Sequence, residues 1–120
     1  MSGPLPSTLV LLSALPTCTP GQKVRFLGCV EEYDVATATL RLKHDYPSSD
    51  APKIASLNID HVLQTIKRTE LEVGAWINII GYVERRKDKG IFVQAITVWG
   101  AGNVDINAYE KAIDTRNDTR

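Results

Sequence analysis

Apolar positions recur at every second residue through the middle of this chain and at every third or fourth residue near its end. Ala36, Ala38, Leu40 and Leu42 alternate with Thr37, Thr39, Arg41 and Lys43. A period of two predicts a strand with one buried side. Before it, Lys23-Val24-Arg25-Phe26-Leu27-Gly28-Cys29-Val30 is rich in β-formers and follows a Pro20-Gly21 break, so it reads as a first strand. Gly28 inside that strand predicts a bulge or sharp bend. Residues 32–35 read as the connecting turn. Residues 46–52 form a loop, with Pro47, Ser48, Ser49, Asp50 and Pro52 as breakers. Residues 54–59 read as a third strand. The period then lengthens: Val62, Leu63 and Ile66 follow Asp60 at helical spacing. Asp60 suits an N-cap, since its carboxylate can accept from free amides of a first turn. This helix is short and ends near Thr69.

Gly74 opens a fourth strand, residues 76–84, that is apolar on both faces. Ile77, Ile79 and Val83 fall on one side and Trp76, Ile80 and Tyr82 on the other. Such a strand is buried on both sides or lines an interface. Arg85-Arg86-Lys87-Asp88-Lys89-Gly90 reads as a charged hairpin loop in which Gly90 is free to take positive φ. A fifth strand covers residues 91–99, and Gly100-Ala101-Gly102-Asn103 is a hinge-like break. The order is therefore strand, strand, strand, short helix, strand, strand. It predicts an all-β, five-stranded OB-fold barrel with a short helix between strands 3 and 4. A generic SH3-like barrel lacks that helix and is the alternative. The chain divides into an N-terminal extension over residues 1–20, a barrel over 21–100 and a C-terminal helix over 104–118.

In that last helix Ile106, Tyr109 and Ile113 recur on one side with Ala112, behind Asp105 as cap, while Asn107, Glu110, Lys111, Asp114 and Asn117 face away. A helix of three to four turns is marginal alone in water. Its stripe lies either on its own barrel or in a groove of another chain. Pattern alone favours the barrel, and the preceding glycines lean slightly towards a partner.

Length and composition narrow the picture. A chain of 120 residues makes one domain and buries about two-thirds of its unfolded surface. Hydrophobic residues at 43% and charged residues at 23% exclude a disordered chain, a collagen-like chain and a coiled coil. Lysine and arginine (14) balance aspartate and glutamate (14), which argues against an autonomous nucleic-acid binder. Cys18 and Cys29 make neither a disulfide framework nor, with His44 and His61 lying apart, a zinc site. A reducing compartment is the simplest reading. The run over residues 9–15 is short, has no basic residue before it and is flanked by prolines, so it makes a poor secretory signal. No run reaches the roughly 18 apolar residues of a membrane span.

Catalysis needs a nucleophile with a base, paired carboxylates or a metal site. Asp45, Asp50 and Asp60 surround His44 and His61 only loosely, and no catalytic motif joins them. Both histidines read as surface or strand-end residues, and the cysteines as small buried hydrophobes. No cofactor is implied. Single strands are bound by basic grooves with aromatic platforms. The candidates for such a face are Arg25, Arg41, Lys43, Tyr82, Arg85, Arg86 and Lys87, with Lys89, Tyr33, Tyr46 and Phe92 beside them. The alternative is a solvated hairpin tip for the charges and core or interface packing for the rings.

Several stretches resemble one family. They are residues 3–13, Gly21-Gln22-Lys23-Val24-Arg25-Phe26-Leu27-Gly28-Cys29-Val30, Val73-Gly74-Ala75-Trp76-Ile77-Asn78-Ile79-Ile80-Gly81-Tyr82-Val83, and Val93-Gln94-Ala95 leading past Trp99 to the Ala112-Ile113 helix. In order and chain length they resemble the Ten-one subunit of the CST telomere-capping complex in its fungal form. The small OB subunit of replication protein A is similar in architecture. The resemblance implies a non-catalytic, nuclear protein at telomeres. It implies a heterodimer with the N-terminal OB-fold of the Stn-one subunit, a large third CST subunit, and single-stranded telomeric DNA bound mainly through the complex. It shifts the helical stripe to the partner: Ile106, Tyr109, Ala112, Ile113 and Arg116 become the expected contacts, with Tyr109 and Arg116 as anchors. Two other readings stand beside it: a subunit of a general replication-protein-A-like complex, and a monomeric OB binder of RNA or oligosaccharide.

Overall fold

The computed structural model describes residues 7–46, 53–86, 90–102 and 105–118. Six strands run through it: β1 (Thr8–Leu9), β2 (Lys23–Asp34), β3 (Thr39–Lys43), β4 (Ile54–Asn58), β5 (Trp76–Arg86) and β6 (Gly90–Gly100), followed by helix α1 (Ile106–Asp118). The order β1-β2-β3-β4-β6-β5, with β2 also paired to β5, closes β2 to β6 into a five-stranded barrel. Closure rests on β2, which pairs β5 along Lys23 to Cys29 and β3 along Cys29 to Asp34.

That double duty explains Gly28 and relocates the predicted bulge. The register shift falls between Val30 and Glu32, not at Gly28. Gly28 is instead a point of close approach: a Cβ there would stand 3.0 Å from Leu42 Cβ. The alternation expected over residues 36–43 starts later. Residues 35–38 are the turn, with Asp34 Oδ1 accepting from the Ala36 amide. Ala38 takes a left-handed φ of 51°, which breaks the pleat, so Leu40 and Leu42 are the inward residues of β3 while Ala36 is exposed.

The predicted helix over residues 60–69 is also corrected. It is two 3-10 turns, Asp60–Val62 and Arg68–Glu70. Asp60 caps nothing; its own amide donates to Asn58 Oδ1 at 3.0 Å. Val62, Thr65, Ile66 and Thr69 are β-branched, which weakens an α-helix this short. The segment is pinned by Glu70, whose carboxylate accepts from the amides of Lys67 (2.9 Å) and Gly100 (3.0 Å). Residues 9–15 fold into the domain. Thr8–Leu9 pairs in parallel with β2, and a 3-10 helix, Leu12–Thr17, places Leu12 and Leu15 in the main core beside Phe26, Leu40, Leu42, Leu57, Ile77 and Ile79. Most of the loop expected over 46–52, and the hairpin tip 87–89, lie outside the described residues. No helix among the described residues is long and apolar enough to cross a membrane.

Candidate partner and nucleic-acid interfaces

Alternation along β2 turns Val24, Phe26, Gly28 and Val30 inward and Arg25, Leu27 and Cys29 outward. Leu27 and Cys29 are nonetheless buried, and α1 brings Tyr109 to the Leu27 backbone on this outer strip. Asp105 caps the helix, Oδ1 accepting from the Ala108 amide at 3.1 Å. Its first turns then meet His44, through Tyr109 and Glu110, and β2, through Tyr109. His44, only 2% exposed, sits 2.7 Å through Nε2 from Glu110 Oε2. Its ring meets Trp76 edge-on at 5.3 Å and lies 6.3 Å from Tyr46 and from Tyr109. The His44–Glu110 contact is a hydrogen bond in either charge state of the imidazole and an ion pair when it is protonated.

Tyr109 is half-buried, and its hydroxyl finds no hydrogen-bond partner among the described residues. Burial pushes the phenol up to about 12, against the opposing pull of the Arg25 guanidinium and the Leu27 backbone. On β2, burial raises the Cys29 thiol, with Lys43 opposing and Glu31 adding to the rise. A thiol held protonated in this way is a poor nucleophile.

The helical stripe is thus divided. Ile113 is 2% exposed and packs within the chain. Ile106 and Tyr109 are half-covered, Ala112 is exposed, and Arg116 lies in the last turns of α1. Beside the helix the outer face of β5 continues the apolar surface. Tyr82 and Ile80 stand between Lys23 and Arg25 on β2 and Gln94 and Thr97 on β6. The Arg25 guanidinium lies 5.2 Å from the Trp99 ring centroid, a cation–π contact that holds it along the surface.

The residues expected to bind nucleic acid fall, where described, on more than one part of the barrel. Arg25 and Tyr82 belong to the β2–β5 face just described. Arg41 and Lys43 are exposed on β3, where Arg41 Nη1 lies 3.2 Å from Glu32 Oε1. Arg85 and Arg86 end β5, and Lys87 lies outside the described residues. Of the aromatic candidates, Tyr33 packs on the core, Tyr46 stacks on His44, and Phe92 is buried. A groove of about 400 Å³ opens over β3 and β4, lined by Glu32, Asp34, Thr37, Thr39, Arg41, Ser56, Asn58 and Phe92. Among the described residues no cluster of three or more histidine, cysteine, aspartate or glutamate side chains could hold a metal ion.

Sequence reading missed the His44–Glu110 contact, the Glu70 clasp and the acidic rim of the groove. A polar residue on the solvent side of a helical wheel carries no mark of its tertiary partner. Glu110 was such a residue, and only a buried strand-end histidine facing it gives it a role.

A closed five-stranded barrel with helical turns between its third and fourth strands and a helix after its last strand defines an OB-fold protein. Residues 1–114 match the Ten1 family model, described as telomere capping, CST complex subunit, and the chain belongs to that family. It is 28% identical over 108 residues to Protein ten1 of Schizosaccharomyces pombe, covering 90% of this chain and 91% of that protein. Among solved structures it is similar to a chain of the S. pombe Stn1-ten1 complex, at TM-score 0.78 and 23% identity over 98% of each chain. A chain of U. maydis Replication protein A bound to ssDNA follows at TM-score 0.63 and 19% identity, covering 92% of this chain and 88% of that one. At these identities the structural likenesses establish the fold.

Proposed function

We propose that the chain is a non-catalytic subunit that pairs with a Stn1-type OB protein in the nucleus and supports protection of single-stranded telomeric DNA through the assembled complex. The carrying observation is the outer surface where Ile80, Tyr82, Trp99 and Arg25 continue beside the half-covered side of α1. An apolar strip with a held arginine and a tyrosine at its border has the composition of an interface centre. The proposed contacts on the helix are Ile106, Tyr109, Ala112 and Arg116. The S. pombe relative was solved in a Stn1-ten1 complex, which supports a partner of that kind. A large third CST subunit completes the proposed assembly.

Co-expression with the Stn1 homologue, followed by gel filtration and calorimetry, tests this. A one-to-one complex is expected, and Tyr109→Ala should weaken it by about 2 kcal/mol or more. Two separate monomeric peaks would end the proposal. The likeness to Replication protein A supports a second reading, a general single-strand-binding complex. Equal affinity of the complex for telomeric repeats and mixed single strands would favour it.

A further inference from the structure

The open groove over β3 and β4 is chemically unlike a nucleic-acid channel. Cross-strand register lays a row around the barrel, Glu32–Arg41–Ser56–Phe92–Glu84, polar except for Phe92, on β2, β3, β4, β6 and β5 in turn. A second row, Asp34–Thr39–Asn58–Gln94, runs beside it. The charged residues lining the groove are Glu32, Asp34 and Arg41, so carboxylates outnumber cations, and Glu84 ends the first row with another. Its one aromatic lining residue, Phe92, is 6% exposed and offers no open ring face. Phosphates would meet repulsion here and bases would find no platform, whereas single strands need a basic groove and stacking rings.

We infer that this groove is a docking site for an extended basic peptide, which places a lysine or arginine at the Glu32–Asp34 end. The molecule already shows the chemistry the groove accepts: Arg41 Nη1 lies 3.2 Å from Glu32 Oε1. Both side chains of that pair are about half exposed, at 48% and 61%. An exposed pair of this kind contributes little, so an incoming guanidinium or ammonium exchanges with it readily. The hydroxyls of Thr37, Thr39 and Ser56 line the floor, and Asn58, whose Oδ1 already accepts from the Asp60 amide, keeps its NH₂ as a donor for a peptide carbonyl. The long apolar stem of lysine or arginine can lie along the sheet with its head at the carboxylates.

Amide chemical shifts of the ¹⁵N-labelled full chain test this, with three probes: an octapeptide alternating lysine and serine, its glutamate–serine counterpart, and an oligothymidylate of matching length. The lysine peptide should shift the Thr37, Thr39, Ser56 and Asn58 amides at submillimolar concentration and lose affinity as salt is added. The glutamate peptide should leave them unmoved. The double variant Glu32→Gln, Asp34→Asn should weaken the lysine peptide by about tenfold with an unchanged melting temperature, since both side chains are exposed. Groove amides that shift more with oligothymidylate than with the lysine peptide would overturn the inference in favour of nucleic acid. Unmoved groove amides at millimolar lysine peptide, equal binding of the glutamate peptide, or unchanged affinity in the double variant would also overturn it.

Discussion

Two single residues carry more of this molecule than their side chains suggest. Tyr109 places a hydroxyl with no partner among the described residues under α1, and burial holds its phenol near 12 instead of 10.0. A folded-state value raised above the unfolded one means the contribution is complete below pH 10. It is lost as pH climbs through the folded value. The ultraviolet phenolate absorbance should show one late-titrating tyrosine, with melting temperature falling across that window. Tyr109→Phe should remove both signals. In the isolated chain it should leave stability unchanged or raise it by up to about 1 kcal/mol, because an unsatisfied polar atom is replaced by none. Gly81 works in the opposite sense. It lies at the β5 irregularity between Ile80 and Gly81, and a Cβ there would collide with the Gln94 carbonyl and stand 2.7 Å from Val93 Cγ1. Neither a strand backbone nor a fully buried valine can yield cheaply. Gly81→Ala should therefore cost about 1–3 kcal/mol in chemical denaturation, whereas an unaltered midpoint would mean that β6 moves aside.

Among the elements, α1 is the one whose attachment could be separated from the rest. It meets the barrel through Ile113, Tyr109 and the His44–Glu110 contact, and Asp105 caps its start. Removing one partner of a buried hydrogen bond, so that the other is left unsatisfied, costs about 1–3 kcal/mol. A terminal helix has an escape, since it can lift away and hydrate both groups. His44→Ala should therefore lower hydrogen-exchange protection of amides 107–118 far more than that of β2 or β5. Uniform loss of protection would show that α1 and the barrel unfold as one unit. The sequence pattern revealed this helix, its cap and its apolar side, because 3.6-residue periodicity is a local property. It did not reveal which side chains of the stripe the barrel buries, Ile113 fully and Tyr109 in part, because that depends on where the outward face of β2 lies. The 60–70 segment shows the same limit. Val62 and Ile66 gave a helical spacing, but the path is set by Glu70 reaching the Gly100 amide, thirty residues along the chain.

At the scale of the whole molecule, the succession of strands was legible because each is a β-forming run bounded by turn residues, and that succession, with helical turns between the third and fourth, defines the barrel. Which charges share a face was not, because that depends on register between strands distant in sequence. Arg25, Arg41 and Arg85 read as one basic set along the chain; closure of the barrel puts Arg25 on the β2–β5 face and Arg41 beside Glu32 on β3. This separation bears on how the complex meets DNA. Affinity for single strands falls with salt at a slope near −0.7 per phosphate neutralised. A chain with no net charge and an acidic groove over β3 and β4 neutralises few phosphates. Its basic residues not placed on those two faces include the hairpin set Arg85, Arg86 and Lys87. If that set touches the strand, replacing all three with alanine should flatten the salt slope of the assembled complex by at most about 2 and weaken it modestly at low salt. The heterodimer should survive, since Arg85, Arg86 and Lys87 are not among the proposed contacts on α1 and the Ile80–Trp99 surface. An unchanged slope would assign DNA contact to the other subunits alone, and loss of the heterodimer would make the hairpin part of the protein interface.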